Sequence, residues 1–157
     1  MIVAIDFGIT NTDVALSNKS QYKFFSIPSK NANESFIDEI ISLVDIDITE
    51  ISQIVVTGGK SNELNESFKG VNLTKISETD AIGYGTKEIY KIENEPFITL
   101  SCGTGTACIH HQDGQFSYIG GIAVGGGTIS GLSKAILDSS SLEEITDLAL
   151  KLSLIHI

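Results

Sequence analysis

The chain has 157 residues, 41% hydrophobic and 19% charged, and carries a formal net charge of −10 at pH 7. That hydrophobic fraction allows a packed core and excludes a disordered chain, while the acidic balance without a basic stripe argues against nucleic-acid binding. Because no apolar run is long enough to span a membrane and Asp6 interrupts any signal-peptide pattern, we expect a cytoplasmic protein with no membrane partner.

The first elements predicted in chain order are three strands and a helix. The apolar run at 2–5 is typical of a central strand, and residues 12–17 and 22–27 predict two more strands joined by a polar turn at 18–21. Apolar residues between 36 and 44 then recur at helical spacing. This order predicts a three-stranded meander followed by a helix.

The meander and helix are followed by two short strands and a second helix. The strands are predicted at 54–56, ending in Thr57-Gly58-Gly59, and at 71–76. Ser77 has Asp80 three residues later, a variant of the capping box, and predicts the start of a helix that runs to about Tyr90.

A charged segment that ends in proline, at 91–96, is the predicted domain boundary, so we expect domains at 1–94 and 95–157. After it the pattern of a meander and a helix returns, with Asp113-Gly114 as a hairpin turn. The predicted strands are 97–100, 106–110 and 116–119, and the predicted helices are 128–137 and 142–152. We therefore expect a duplicated α/β fold whose second domain is partial and a C-terminally truncated chain; the pattern leaves open whether the final residues (153–157) are natural sequence.

Two loops rich in glycine and threonine follow the first strand of each half. The first runs from Asp6 through Gly8, Ile9 and Thr10 to Asn11, and the second is Gly103-Thr104-Gly105-Thr106. Glycine lets backbone amides approach a ligand closely, so the pair predicts a fold that holds a polyphosphate from two sides. The alternatives are an aspartate that caps its own turn and a simple glycine-rich bend.

Other candidate residues are weaker when taken singly. Gly125-Gly126-Gly127-Thr128 at a helix start favours an anion, or else close packing of helix on sheet. Gly59-Lys60-Ser61 ends like a phosphate-binding P-loop, but Ile54 stands where that motif needs glycine. Asp6 could hold Mg²⁺ through water, and Glu78 could accept a proton from a hydroxyl that attacks a phosphate, although it could equally be a first-turn glutamate that stabilises its helix.

The histidines and cysteines do not suggest chemistry. His110 and His111 are neighbours on one strand and point to opposite faces, so they cannot line one site, and we interpret them as structural. Cys102 and Cys108 fit no metal spacing and are expected to be buried or half-buried free thiols.

Together these motifs resemble the actin/hexokinase/chaperone-ATPase superfamily and, within it, the type II pantothenate kinases. The most specific stretch runs from Gly103 through Asp113-Gly114-Gln115 and Gly120-Gly121-Ile122 to Leu132. The resemblance implies a duplicated ribonuclease H-like fold, a dimer when complete, and phosphorylation of the terminal hydroxyl of pantothenate by ATP and Mg²⁺, the first step toward coenzyme A.

The resemblance also implies roles for individual residues. Glu78, in Glu78-Thr79-Asp80-Ala81, would be the general base, and residues 6–11 would hold the ATP phosphates, with Asp6 at the metal. The second loop and the helix start would contact the nucleotide through Gly103, Thr104, Gly105, Gly126, Gly127, Thr128, Ile129 and Ser130. The 157-residue chain by itself is expected to show no turnover.

Two positions depart from the family pattern. Asp13 stands where the family usually carries a lysine, and Tyr118 stands where it carries an arginine near the acceptor. Both departures remove positive charge, so two alternatives stay open: an ATPase of the same superfamily that drives an activator or a partner protein, and an inactive remnant that keeps the fold.

Overall fold

The computed structural model describes residues 1–18 and 21–151, without the side chain of Leu142. The middle of the predicted turn at 18–21, the last residue of the predicted helix at 142–152 and the apolar end at 153–157 lie outside the described residues. The chain divides into two compact units, residues 1–93 and 94–157.

Unit 1 is a six-stranded mixed sheet with two helices. The strands are β1 (Ile2–Phe7), β2 (Asn11–Asn18), β3 (Gln21–Pro28), β4 (Gln53–Thr57), β5 (Ser67–Phe68) and β6 (Val71–Lys75), and the helices are α1 (Glu34–Leu43) and α2 (Glu78–Tyr90). Their order in the sheet is β3-β2-β1-β4-β6-β5. β1, β4 and β6 are parallel, whereas β2, β3 and β5 run antiparallel to their neighbours.

The core of unit 1 lies between one face of the sheet and α1. Alternate residues of β1, among them Ile5 and Phe7, are buried, as expected for a strand with one covered face. On α1, the apolar residues at helical spacing are buried too, and the Phe36 ring packs 6.1 Å from the Phe7 ring. α1 begins after Asn33, whose side chain accepts a hydrogen bond from the Phe36 amide.

Unit 2 is a three-stranded antiparallel sheet with two helices. The strands are β7 (Phe97–Cys102), β8 (Thr106–Gln112) and β9 (Gln115–Ile122), and the helices are α3 (Gly126–Leu137) and α4 (Leu142–Lys151). Asp113 and Gly114 both have positive φ, 51° and 76°, which is the conformation of a two-residue hairpin turn. No helix within residues 1–18 and 21–151 combines the length and the apolar character needed to cross a membrane.

His111 forms the centre of a small cluster in unit 2. Its ring lies 4.8 Å from the Phe97 ring and 5.0 Å from the Phe116 ring, and Nδ1 lies 3.1 Å from the Glu95 carbonyl oxygen. The side chain is buried, whereas His110 is only partly so. This packing agrees with the structural interpretation of His111.

Several sequence-based expectations need correction. Cys102 is exposed rather than buried or half-buried, because it lies on the same uncovered face of β7 as the exposed Ile98 and Leu100, while Cys108 is half-buried as predicted. The helix predicted from residue 128 begins at Gly126. Ser77 caps α2 as predicted, but its hydroxyl donates to the Asp80 carboxylate while accepting from the Asp80 amide, which replaces the usual reach of the acidic side chain back to the cap backbone.

Candidate functional site

The carboxyl ends of β1 and β4 meet at one edge of the sheet of unit 1, where the first loop begins. Asp6 pairs in register with Asp13 on β2 and with Thr57 on β4. Residues paired in this way project to the same face of a sheet. Two carboxylates and one hydroxyl therefore share the face opposite the core, which we call the open face.

Two glycines allow the loops at this edge to lie against each other. A Cβ on Gly8 would lie 2.5 Å from the Asn11 carbonyl oxygen, so the turn between β1 and β2 closes only with glycine. Gly58, directly after β4, has φ +89°, and a Cβ there would lie 2.5 Å from the Phe7 carbonyl oxygen and 2.9 Å from Asp6 Oδ1. The backbone after β4 thus runs immediately beside the Asp6 carboxylate.

Ser29, the first residue after β3, holds the first loop in place. Its amide donates to the Thr10 carbonyl at 3.0 Å and its hydroxyl donates to the Gly8 carbonyl at 2.5 Å. The buried Thr12 hydroxyl lies 3.2 Å from the same hydroxyl oxygen. Ile9, at the tip of the loop, is exposed. The predicted residues 8–11 are therefore one rigid turn, fixed by contacts that cross from β3.

The electrostatics of this edge centre on Asp6. Partial burial raises the pKa of the Asp6 carboxyl above its ordinary 3.8, and the nearby carboxylates of Glu78 and then Asp13 raise it further. These groups are close enough to repel one another, so the edge holds uncompensated negative charge. A divalent cation with oxygen ligands would relieve this repulsion, and the donor set suits Mg²⁺. Among the described residues no group of three or more His, Cys, Asp or Glu side chains could hold a metal by itself.

Glu78 is the first residue of α2 and is exposed. Its charge reaches Asp6, which places the predicted base and the predicted metal ligand at one end of unit 1. The Ser77 cap fixes where the helix starts and hence where Glu78 projects. The structure thus brings Asp6, Glu78 and the first loop together.

A cavity of about 590 Å³ lies on the open face, next to the acidic edge. Its walls are apolar over most of their length, with Ala4, Ala15, Phe24 and Val55 among them, and become polar toward Asp6, Asp13 and Thr57. Thr57 Oγ1 is buried and, within the described part of the chain, has no hydrogen-bond partner. The cavity offers an apolar wall beside a strip of oxygen atoms.

In unit 2, the second loop is held by one hydrogen bond within the loop and by others with the segment that leads into α3. The Gly103 amide donates to the Gly105 carbonyl at 2.8 Å, and the Gly126 amide donates to the Gly103 carbonyl at 2.8 Å. The Thr106 hydroxyl donates to the Val124 carbonyl at 2.8 Å. Four of the predicted nucleotide-contacting positions, Gly103, Gly126, Thr128 and Ile129, therefore have backbone amides that are engaged inside the unit and do not point at a ligand in this conformation.

The glycine triplet before α3 packs against the second loop. A Cβ on Gly125 would lie 2.7 Å from the Gly105 carbonyl, and one on Gly127 would lie 2.6 Å from Thr104 Cγ2. The Thr128 hydroxyl accepts from the Gly125 amide at 3.3 Å and donates to the Ala123 carbonyl at 3.1 Å. The alternative interpretation of the triplet as a packing device thus accounts for Gly125 and Gly127.

The remaining predicted contacts lie further along α3. Ile129 is 52% exposed, and the Ser130 hydroxyl donates to the Ser140 carbonyl at 3.4 Å. The structure brings residues 103–105 and 126–128 together within unit 2, whereas Ser130 is turned toward the end of α3.

Sequence reasoning missed two residues at the first loop, Ser29 and Lys60. Ser29 gave no signal because its partners Gly8 and Thr10 lie about twenty positions earlier in the chain. Lys60 did give a signal, since Gly59-Lys60-Ser61 is a phosphate-binding tripeptide, but the complete P-loop motif was absent. In the structure, Lys60 Nζ lies 3.5 Å from Ser29 Oγ.

Comparisons with known proteins support the predicted resemblance. A scan against protein-family models finds no match. A type II pantothenate kinase of Bacillus anthracis is 32% identical over 152 residues, which cover 93% of this chain and 52% of the relative. A type II pantothenate kinase of Staphylococcus aureus is 28% identical over 153 residues, or 95% of this chain and 54% of the relative. The resemblance is confirmed, and the chain spans about half the length of the curated relatives it matches.

Solved structures identify the fold. The activator of 2-hydroxyisocaproyl-CoA dehydratase from Clostridium difficile, with bound ADPNP, has a TM-score of 0.60 at 18% identity and matches 87% of this chain and 52% of its own. A ROK family protein from Streptococcus pneumoniae, in complex with sucrose, has a TM-score of 0.57 at 13% identity. The match covers 96% of this chain and 67% of that protein's chain. The predicted α/β fold of the ribonuclease H-like, actin-like ATPase type is confirmed.

Proposed function

We propose that the chain provides the first phosphate loop and the general base of an ATP-dependent small-molecule kinase that phosphorylates the terminal hydroxyl of pantothenate. The observation that carries the proposal is the meeting of Asp6, Glu78 and a rigid Gly8 turn at one edge of an actin-like sheet. The names of the relatives supply the acceptor, pantothenate.

In the proposed reaction, Glu78 accepts the proton of the acceptor hydroxyl while the hydroxyl oxygen attacks the γ-phosphorus of ATP. The bond from that phosphorus to the bridging oxygen breaks, and ADP leaves with the electron pair. Glu78 is suited to this role because it is exposed at the start of α2 and its backbone is fixed by the Ser77 cap. As in other kinases, most of the work of the protein is to position the reactants.

Asp6 would hold Mg²⁺, which neutralises charge on the phosphates when it is bound. The fit rests on the oxygen donors at this edge, where burial and then the neighbouring carboxylates of Glu78 and Asp13 raise the pKa of Asp6 and so disfavour its charged form without a cation. The Gly8 turn would then offer backbone amides to the phosphates, and Ser29 would keep that turn from shifting.

Positive charge is scarce for a protein proposed to bind ATP. All ten basic residues other than histidine are lysines, so no arginine can form a two-pronged contact with a carboxylate or phosphate. Asp13 adds a further negative charge on the open face. The proposal therefore assigns most of the phosphate charge to the metal ion and to backbone amides.

For the second unit we propose a nucleotide-binding role through Thr104, Gly105 and the start of α3. We take 1–94 and 95–157 as the two domains, each with one glycine loop, the first of them also carrying the proposed base. The ADPNP-bound activator has the same fold, so this fold is compatible with the binding of a nucleoside triphosphate analogue.

The test is a kinase assay with pantothenate and MgATP, read by mass spectrometry of the acceptor. The assay uses the longest polypeptide that the gene encodes. The 157-residue chain is a second sample, for which we expect no turnover. We expect phosphopantothenate from the longer polypeptide. Glu78→Gln should lower turnover by about 10²- to 10⁴-fold while MgADPNP still binds, because only the proton acceptor is lost.

The matched control is Glu88→Gln, which removes a carboxylate from the same helix at a position paired with Lys91. It should leave turnover near the wild-type value. Full transfer activity in Glu78→Gln would contradict the proposed base. A folded protein that binds MgADPNP and hydrolyses ATP without an acceptor would instead favour the activator-type ATPase.

A further inference from the structure

Lys60 stands beside the first loop, where the proposed function leaves a need for positive charge. Its Nζ atom lies 3.5 Å from Ser29 Oγ, at the outer limit of a hydrogen bond. The same Ser29 hydroxyl donates to the Gly8 carbonyl at 2.5 Å. Only one hydroxyl oxygen therefore separates the ammonium group from the backbone of the loop.

The backbone around Lys60 is fixed although its side chain is exposed. Gly58 packs against Phe7 and Asp6 at the end of β1, and the Ser61 hydroxyl and amide both donate to the Gly58 carbonyl, at 2.7 and 3.0 Å. Lys60 lies between these two anchored residues. A long side chain that rises from a fixed point can move its charge onto a ligand without rearranging the loop.

Lys60 also differs from the lysines that are already neutralised. Lys30, Lys69, Lys91 and Lys134 each form an ion pair with a carboxylate between 2.5 and 2.7 Å. Lys75 donates to the Asn62 carbonyl at 2.8 Å. Within residues 1–18 and 21–151, no carboxylate lies within 4.0 Å of the Lys60 ammonium, so its charge is not offset by a neighbouring carboxylate.

The Lys60 ammonium lies on the side of the first loop that is away from Asp6 and Asp13. Asp13 lies on the open face, whereas its neighbour Thr12 points to the opposite face, and it is Thr12 that contacts Ser29. Ser29 and Lys60 therefore flank the loop on the Thr12 side, and Asp6 and Asp13 flank it on the other. A triphosphate at this loop would meet the carboxylate-bound metal on one side and an ammonium group on the other.

We propose that Lys60 is the cationic phosphate-binding residue of the first loop and that it leaves Ser29 to contact a phosphate of the bound nucleoside triphosphate. This inference rests on the proposed function, since it assumes that the first loop binds the triphosphate. A lysine ammonium is a suitable phosphate ligand because it acts as a point charge with three rotatable donors. Lys60 then offsets part of the negative charge of the phosphates, in a chain that has no arginine and that carries Asp13 at the same edge.

The test measures the affinity of the longest polypeptide that the gene encodes for MgADPNP by titration calorimetry. Lys60→Gln should weaken binding by about 10- to 100-fold, because it removes a charge-assisted contact to a phosphate. Lys60→Arg should restore most of the affinity, which a purely structural role would not predict. The slope of affinity against salt concentration should also decrease in Lys60→Gln, because one charged contact with the ligand is gone.

The matched control is Lys69→Gln, which removes the same charge from the same unit at a lysine paired with Asp38. It should leave the affinity for MgADPNP nearly unchanged. If the wild-type polypeptide binds MgADPNP and Lys60→Gln binds it with the same affinity, this inference is overturned and the proposed function stays intact. If the folded wild-type polypeptide does not bind MgADPNP at all, both are overturned.

Discussion

The two units build similar meanders but hold their glycine loops in different ways. In unit 1 the turn at Gly8 is fixed by hydrogen bonds from Ser29, the first residue after β3, while Gly58 packs beside it against Phe7 and Asp6. In unit 2 the loop is fixed by a hydrogen bond within it, from Gly103 to Gly105, and by one from Gly126 at the start of α3. The first loop is therefore held by residues that follow neighbouring strands of the sheet, and the second by its own backbone and the start of a helix.

The two units also differ in how many of their residues are buried. Unit 1 has a continuous cluster of buried apolar residues between the sheet and α1. Among the described residues of unit 2, only Ile109 and His111 are buried. Because burial of apolar surface is the main source of stability, most of the folding free energy of the described chain resides in unit 1. The second loop thus has a defined hydrogen-bonded geometry in a unit with few buried residues.

The largest expected effect tests where this stability lies. Ile37 on α1 is fully buried, so Ile37→Ala should lower the free energy of unfolding of unit 1 by about 2–5 kcal/mol. Ile136→Ala on α3, where the side chain is 75% exposed, should change stability by less than about 0.5 kcal/mol. Urea unfolding of both variants measures the difference. Equal losses would contradict the assignment of the main core to unit 1.

A smaller effect compares the two loops directly. Gly58→Ala places a Cβ against the Phe7 carbonyl at a residue with φ +89°, so it should destabilise unit 1 by about 1–3 kcal/mol. Gly125 has an extended backbone, so Gly125→Ala adds no backbone strain, but the new Cβ would meet the Gly105 backbone. This variant should loosen only the second loop. Hydrogen exchange is the measurement. We expect faster exchange across β1 and β4 in the first variant and only near residues 103–106 in the second.

Two glycines with open surroundings serve as controls for that comparison. Nothing lies within 4 Å of a Cβ on Gly59 or Gly131. Gly59→Ala should leave exchange unchanged, and Gly131→Ala, inside α3, should stabilise its helix by about 0.5–1 kcal/mol. Widespread loosening in Gly125→Ala would contradict the view that the second loop is held locally.

The sequence was sufficient for the elements whose signals are local. The meanders, the helix predicted from the apolar residues between 36 and 44, the Asp113-Gly114 turn and the Ser77 cap all depend on residues a few positions apart. The two-residue strand β5 was missed because it is too short to show alternation. Exposure of Cys102 was missed because a strand pattern does not show whether the other face is covered.

The candidate site was predictable only in part, for the same reason. The strand that ends in Asp6 and the helix that starts at Glu78 could both be identified from patterns along the chain. The approach of Lys60 to Ser29 spans 31 positions and requires the turn at Gly58, the pairing of β1 with β4 and the course of the chain after β3. None of these is encoded in a short motif, so the contact became visible only in the folded chain.

The smallest expected effect concerns charge at the first loop. The pKa of Asp6 is raised in the folded chain, first by burial and then by Glu78 and Asp13, so the carboxylate form destabilises the fold at neutral pH. Asp6→Asn should therefore raise the melting temperature at pH 7. The advantage should shrink as the pH falls through the raised pKa and vanish below about 3.8, the ordinary value, where the carboxyl is protonated in both states.

Asp47 provides the control of opposite sign. Hydrogen bonds from the Thr49 hydroxyl, and then from the Thr49 amide, lower the pKa of Asp47, so its charged form favours the fold. Asp47→Asn should lower the melting temperature at pH 7, and the loss should fade as the pH falls from 3.8 through the lowered pKa.

Added Mg²⁺ should stabilise the wild type and Asp47→Asn but not Asp6→Asn, because only the last lacks the proposed metal ligand. Equal stabilisation of all three would show that Asp6 does not hold the metal, and would separate the electrostatic strain at the first loop from its proposed use.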